Sequence, residues 1–223
     1  MPKLTAAQQA QRRAHILDAA EVCFARSGFH RTTMQDICRL AGVSAGAVYV
    51  YFASKEALID GIVDRDRDEV TRELQRVGEA PDLMTGLEGL LRSCILERPP
   101  HKTALYLEML SEANRNPHVS AAVQGCETGL HRALAEMLRD SQKAGRVAPD
   151  IDPEITARML MVVGDGLFVL MARRATDCVA EVVPNVLAMI GLYLVATGAP
   201  APARPPVPSA LYARPAVAAA ALD

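Results

Sequence analysis

Proline and glycine divide this chain into helices before any other feature is considered. Pro81, Pro99-Pro100, Pro117, Pro149 and Pro153 stand where a helix can begin but not continue, because the ring removes an N–H donor and clashes with the preceding turn. They predict helices at roughly 82–97, 102–115, 118–144 and 153–174. Asp152-Pro153-Glu154 is the clearest start: a cap, then proline at the first position, then an acid near the positive end of the helix dipole. Aromatic residues are only 4% of the chain, with no Trp, whereas Ala, Leu and Met are plentiful, which favours helix over a β-sandwich or barrel. The expected fold class is therefore all-α. With 223 residues, half of them hydrophobic, there is enough apolar surface for one long domain or two short ones, and disorder throughout is excluded.

The N-terminal part is punctuated more densely. A first helix is expected from about Ala6 to Arg26, with Ile16, Ala20, Cys23 and Phe24 on one face and a stop at Ser27-Gly28. Thr33-x-x-Asp36 forms a capping-box-like start for a helix that ends at Ala41-Gly42, and Ser44 caps another after a turn of only Gly42 and Val43. This is the spacing of a helix-turn-helix, whose second helix is presented rather than buried. Ser54 caps a long helix to about Val77, whose wholly charged middle, Asp64 to Glu69, reads as a solvated face. A last helix is expected from about Val183 to Thr197. Residues 198–223 contain ten Ala and six Pro without apolar periodicity, the pattern of a flexible tail.

Charge is uneven. Residues 1–55 carry seven basic groups (Lys3, Arg12, Arg13, Arg26, Arg31, Arg39, Lys55) against three acidic ones, which leaves −6 on the remainder of a chain whose net charge is −2. A basic head on an acidic body suits a polyanion-binding module joined to something that avoids polyanions. Cys23, Cys38, Cys94, Cys126 and Cys178 are scattered, form no C-x-x-C and read as reduced core residues. No signal peptide is recognised, and the least polar stretch, Val182 to Thr197, contains Pro184 and falls short of the roughly 20 residues a membrane span requires. A cytoplasmic protein with no membrane contact is expected.

The segment GFHRTTMQDICRLAGVSAGAVYVYFASKEAL, Gly28 to Leu58, closely resembles the DNA-binding domain of the TetR family of bacterial transcriptional regulators. The resemblance covers about 50 residues and includes the Gly-aromatic turn, Thr32-Thr33, the Gly42-Val43-Ser44 turn, the aromatic run Tyr49 to Phe52 and Ser54-Lys55-Glu56. Independently of it, Met34, Ile37, Cys38, Val43, Val48, Phe52 and Leu58 fall at spacings that pack short helices around one small core. Ser44, Ala45, Gly46, Ala47, Tyr49 and Tyr51 are left facing outward, where small residues permit close approach to a major groove and tyrosine hydroxyls can reach phosphates. Backbone N–H groups near Thr33 and Ser54-Lys55, with the Lys55 charge, are candidate phosphate contacts, although plain helix capping also explains Thr33 and Ser54. Many family members carry a long polar residue where this chain has Ala45 and Val50. Thymine methyls and DNA shape should therefore be read more than guanine edges.

The remainder resembles, more loosely, the ligand-binding and dimerisation body of family members that control multidrug efflux or small-molecule stress responses. The division expected is 1–53 for DNA binding, 54–197 for ligand binding and dimerisation, and 198–223 for the tail, with about nine helices in all. Met84, Leu91, Tyr106, Leu110, Asn114, Met137 and Phe168 are candidate pocket residues for a small-molecule effector, though each can equally fill a core. His131 is a possible pocket donor or a satisfied histidine. Gly164 and Gly166 on one helix, with Val186, Ile190, Tyr193 and Leu194 on the next, suit a four-helix homodimer interface. Asp165 is either a paired interface group, the preferred reading, or a contact for a cationic ligand.

A ligand-responsive repressor of operator DNA follows from the resemblance. The alternatives are an activator of a metabolic or stress pathway and a regulator acting through protein partners. An all-α enzyme is disfavoured, since the chain has no H-E-x-x-H, no G-x-S-x-G, no phosphate-binding glycine loop and no Cys/His set at ligand spacing. No cofactor, metal or catalytic residue is implied.

Overall fold

A computed structural model describes residues 5–173 and 176–195, with side chains in the last helix from Glu181 onward. Lys3, the Cys178 side chain, the predicted end of the last helix at Thr197 and the Pro/Ala-rich segment 198–223 lie outside the described residues. Nine α-helices and one π-helical turn are described, and no strand is found among these residues: α1 (Ala6–Arg31), α2 (Met34–Ala41), α3 (Ala45–Tyr49), α4 (Lys55–Glu79), α5 (Leu83–Leu91), the π turn (Arg92–Leu96), α6 (Pro100–Ala113), α7 (Pro117–Lys143), α8 (Pro153–Ala172) and α9 (Thr176–Val195).

The local start signals operate as the sequence reads. Thr33 accepts from the Asp36 N–H at 3.1 Å while the Asp36 carboxylate accepts from the Thr33 N–H at 3.0 Å, a reciprocal cap that satisfies two donors the helix itself cannot. Ser44, Ser54, Asp82, Asn116 and Asp152 cap α3, α4, α5, α7 and α8 from one side only, each side-chain oxygen accepting from a first-turn N–H. Pro100, Pro117 and Pro153 occupy first turns, where their missing N–H costs nothing. Gly42 ends α2 with φ 65°, the left-handed conformation that a side chain disfavours.

Four features depart from the sequence reading. The expected stop at Ser27-Gly28 is a break rather than an end: Gly28, at φ 74°, interrupts α1, and one more turn carries Phe29 into the core before Thr32 ends it. The helix predicted at 82–97 is split, its second half forming the π turn. α9 begins at Thr176 rather than near Val183 and runs through Pro184, with Val183 and Leu194 buried. Finally, the charged run in α4 is only in part a solvated face: Asp64, Asp68 and Glu69 are exposed, but Arg65 and Asp66 are turned to neighbouring elements. Arg65 reaches Glu21 of α1 at 2.5 Å and Asp18 at 2.7 Å, and Asp66 pairs with Arg98 and Lys102.

Three apolar clusters organise the molecule. The first contains Ile37, Cys38, Val48, Phe52 and Leu58, with Met34 and Val43 packed on its edge, and it continues through Ile62 and Val63 of α4 to Leu105 of α6 and Val119 of α7. Apolar contact thus runs across residue 54. The second joins α4, α5, α7 and α8 around Leu74, Leu87, Leu138 and Ala157, and the third joins the π turn to α8 and α9 through Ile95, Leu167 and Val183. Glu21, only 1% exposed, is held at the seam by Arg65 and by His101 at 3.5 Å.

Candidate nucleic-acid interface and internal cavity

At the N-terminal end, α2, the Gly42-Val43 turn and α3 place Val48 inward and leave Ser44, Ala45, Gly46, Tyr49 and Val50 exposed. Val50 is 79% exposed and Tyr49 52%, an apolar surface beside a helix with no long polar side chain. Ala47 and Tyr51 are half-buried, and Tyr51 packs against the first cluster. The surface is therefore narrower than the sequence reading, centred on Ser44 to Gly46 and on Tyr49 and Val50. The Ser44 hydroxyl oxygen accepts from the Ala47 N–H, and its own O–H has no partner among the described residues. The Thr33 hydroxyl, in contrast, donates to Asp36 at 2.6 Å, so its single donor is already committed. That hydrogen bond and the one from the Thr33 backbone hold the Asp36 carboxyl below its ordinary pKa.

Lys55 is placed unexpectedly. Its ammonium donates to the carbonyls of Phe29 at 2.7 Å and His30 at 3.5 Å and lies 4.4 Å from the centre of the Phe29 ring. It closes the end of α1 and has one N–H left for a phosphate. Arg39, in the last turn of α2, is a more exposed cation, tethered among the described residues to Asp36 at 3.2 Å. Sequence reasoning counted Arg39 in the head's charge without assigning it a contact, although a basic residue at that turn was visible.

A cavity of about 240 Å³ lies in the body, enclosed by α4 to α9 and the π turn. Of the seven residues expected in a pocket, Leu91, Tyr106, Leu110 and Phe168 line it. The other three do not. Met84 packs against Gly191, Asn114 donates to the Leu110 carbonyl at the exposed end of α6, and Met137 is buried in the second cluster beside Ser141. The reading missed the α7 wall. Val123, Cys126, Glu127, Leu130 and Leu134 recur at helical spacing on one face, a signal present in the sequence. Five residues of α4 (Ile62, Val63, Asp66, Val70, Leu74) also contribute.

Tyr106 and Phe168 lie with ring centres 4.8 Å apart and planes tilted by 40°, and the Tyr106 hydroxyl donates to Asp165 at 2.6 Å. Asp165, exposed on α8, thus lines the cavity. Burial, reinforced by that hydrogen bond, pushes the Tyr106 pKa up, so the phenol remains a donor. Burial also raises Cys126 to about 11, which keeps this thiol protonated and unreactive. Cys94 on the same wall is raised for the same reason. His131 is half-buried outside the cavity, its Nε2 at 2.9 Å from the Glu154 carbonyl.

On the opposite side of α8 and α9 an apolar face stands open: Met159, Val162, Val169, Met189, Leu192 and Tyr193 are all exposed. α8 is long and apolar enough to cross a membrane by length and composition, and little of it is buried in a single chain. Of the residues expected at a dimer interface, Gly166 and Tyr193 lie on this face and Val186 is half-buried. Gly164 and Ile190 instead line the cavity, and Leu194 is wholly buried in the second cluster. The helices are rotated so that the outward stripe falls between the predicted positions.

Residues 16–62 match the family described as bacterial regulatory proteins, tetR family, and residues 87–190 match the BetI-type transcriptional repressor C-terminal family. The HTH-type transcriptional regulator UidR of Escherichia coli (strain K12) is 30% identical over 187 residues, which is 83% of this chain and 94% of that one. Among solved structures, Salmonella enterica GusR superposes with a TM-score of 0.70 at 29% identity, covering 85% of this chain and 98% of its own. SmeT in complex with triclosan superposes at 0.69 with 25% identity, covering 89% and 99%. UidR and SmeT are described as a transcriptional regulator and a repressor, not as enzymes.

Proposed function

The chain belongs to the TetR family of bacterial regulatory proteins, and from that premise we propose that it is a homodimeric repressor released from its operator by a small hydrophobic molecule. The observation that carries the reading is the course of α4. Its N-terminus is capped by Ser54 directly after the presented helix, its Lys55 closes the end of α1, and five of its residues line the cavity. A molecule that changes the cavity wall acts on the same rigid element that seats the head. Two half-sites on one face of DNA require recognition helices about one turn, roughly 34–36 Å, apart. A ligand that fixes the two heads at another spacing therefore removes one half-site.

Residues Ser44, Ala45, Gly46, Tyr49 and Val50 form the centre of the proposed DNA surface, with Lys55 and Arg39 as the cations beside it. The open α8–α9 face is proposed as the interface with a second copy, because an apolar stripe of this size is unfavourable on a soluble monomer. Residues 1–53 and 54–197 are the proposed working units, acting in the cytoplasm where the operator is. Control of drug efflux is favoured by the likeness to SmeT, described as the repressor of the Stenotrophomonas maltophilia multidrug efflux pump SmeDEF, which is 26% identical.

The test is a mobility-shift assay with the intergenic DNA beside the chain's own gene, followed by a screen for compounds that release it. Calorimetric titration of a releasing compound with and without operator then measures coupling. A tenfold effect corresponds to about 1.4 kcal/mol, and reciprocity requires operator DNA to weaken the compound by the same factor. Equal affinities in the two titrations would remove the proposed mechanism and leave DNA binding intact.

A further inference from the structure

The cavity wall is apolar for most of its extent, but its charged groups are not balanced. Arg98 and Lys102 are already engaged: both pair with Asp66, Lys102 also reaches Glu69 at 3.1 Å, and the Arg98 guanidinium lies 5.5 Å from the centre of the Phe168 ring. Glu127 and Asp165 have no cationic partner among the described residues, and Asp165 is held only by the Tyr106 hydroxyl. These two acids are also the only exposed residues among those that line the cavity, so they mark where it opens, between α7 and α8. At about 240 Å³ the space exceeds the apolar cavity of about 150 Å³ that accepts benzene.

We infer that this cavity selects hydrophobic organic cations, with Glu127 and Asp165 as the gate that attracts the charge and the paired Tyr106 and Phe168 rings and aliphatic walls holding the apolar body. The inference rests on the reading of the cavity as the effector site. An anion entering by this route passes two carboxylates and reaches cations whose charge is already shared with Asp66 and Glu69. An organic cation meets the opposite field and gains aromatic faces that favour it. Burial together with the charge of Asp165 already raises the Glu127 pKa, the response of a carboxylate that lacks a counter-ion.

Calorimetry on the full chain with three probes of one apolar body tests this: para-tert-butylbenzylammonium, para-tert-butylbenzyl alcohol and para-tert-butylbenzoate. The ammonium is expected to bind about tenfold tighter than the alcohol, with the benzoate weakest. In the double variant Glu127→Gln, Asp165→Asn, checked for an unchanged melting temperature, the ammonium and alcohol affinities are expected to converge. Equal affinity of ammonium and alcohol in the native chain, or tightest binding of the benzoate, overturns the charge selection while the cavity reading stands. A preference that survives in the double variant overturns the assignment to these two acids. Binding of none of the three overturns both readings.

Discussion

The Lys55 ammonium at the start of α4 donates to the Phe29 carbonyl at the end of α1, 2.7 Å away, across 26 residues of sequence. The bond joins the first helix of the head to the start of α4 and turns an expected phosphate contact into a structural tie with one donor to spare. Lys55→Ala is expected to lower the melting temperature, since a charge-assisted hydrogen bond contributes about 1.5–3 kcal/mol. It is also expected to reduce the slope of log affinity against log salt by about one per half-site. A lower melting temperature with an unchanged slope assigns Lys55 to the tie alone.

Ala45, Gly46, Tyr49 and Val50 present methyl and aromatic surface but no bidentate donor. Replacing operator thymines by deoxyuridine, one position at a time, is expected to weaken binding at the positions facing these residues. Each buried methyl should contribute about 0.8 kcal/mol. Uniform tolerance of deoxyuridine together with strong discrimination at guanines would show that another element reads the bases.

Val162 and Leu192 are 70% and 76% exposed at the centre of the open α8–α9 face. Val162→Arg combined with Leu192→Arg is expected to convert a dimer to monomer or aggregate in sedimentation. Both side chains lie outside the described clusters, so the chain should still fold. A stable dimer in the double variant would place the interface elsewhere.

The Asp36 carboxyl is held below its ordinary pKa by the Thr33 hydroxyl and N–H. A depressed carboxylate pKa contributes stability that is present above the ordinary carboxylate range and is lost as pH falls through the lowered native value. Asp36→Asn removes this contribution at every pH. The stability gap between the native chain and the variant is therefore expected to be open at neutral pH and to close under acid, as followed by thermal melts across the acid range. Thr33→Ala should cost about 1 kcal/mol at neutral pH by removing the cap itself. A gap independent of pH would show that the cap does not depend on the Asp36 charge.

Whatever depends on neighbours within one helical turn was legible in the sequence. Thr33 and Asp36, Ser44, Ser54 and Asp152 announce helix starts because a side-chain oxygen must meet an N–H two or three residues on, and Gly28 and Gly42 mark the breaks because only glycine takes a positive φ without strain. The core of the head, Ile37, Cys38, Val48, Phe52 and Leu58, was legible for the same reason: short helices leave little freedom in which face turns inward. Only the tertiary structure decided the rest. Arg65 and Asp66 look like solvent-facing members of a charged run until α1 and α6 supply Glu21, Arg98 and Lys102. α8 and α9 are apolar nearly all round, so periodicity could not choose between the stripe that lines the cavity and the stripe that stands open, and Leu194 and Ile190 were placed outward although they turn inward. Glu127 and Asp165 lie on different helices and acquire a shared role only when α6, α7 and α8 close around one space. Hydrogen bonds within a turn are encoded by adjacent residues, whereas helix rotation and charge pairing are settled by side chains far apart in the chain.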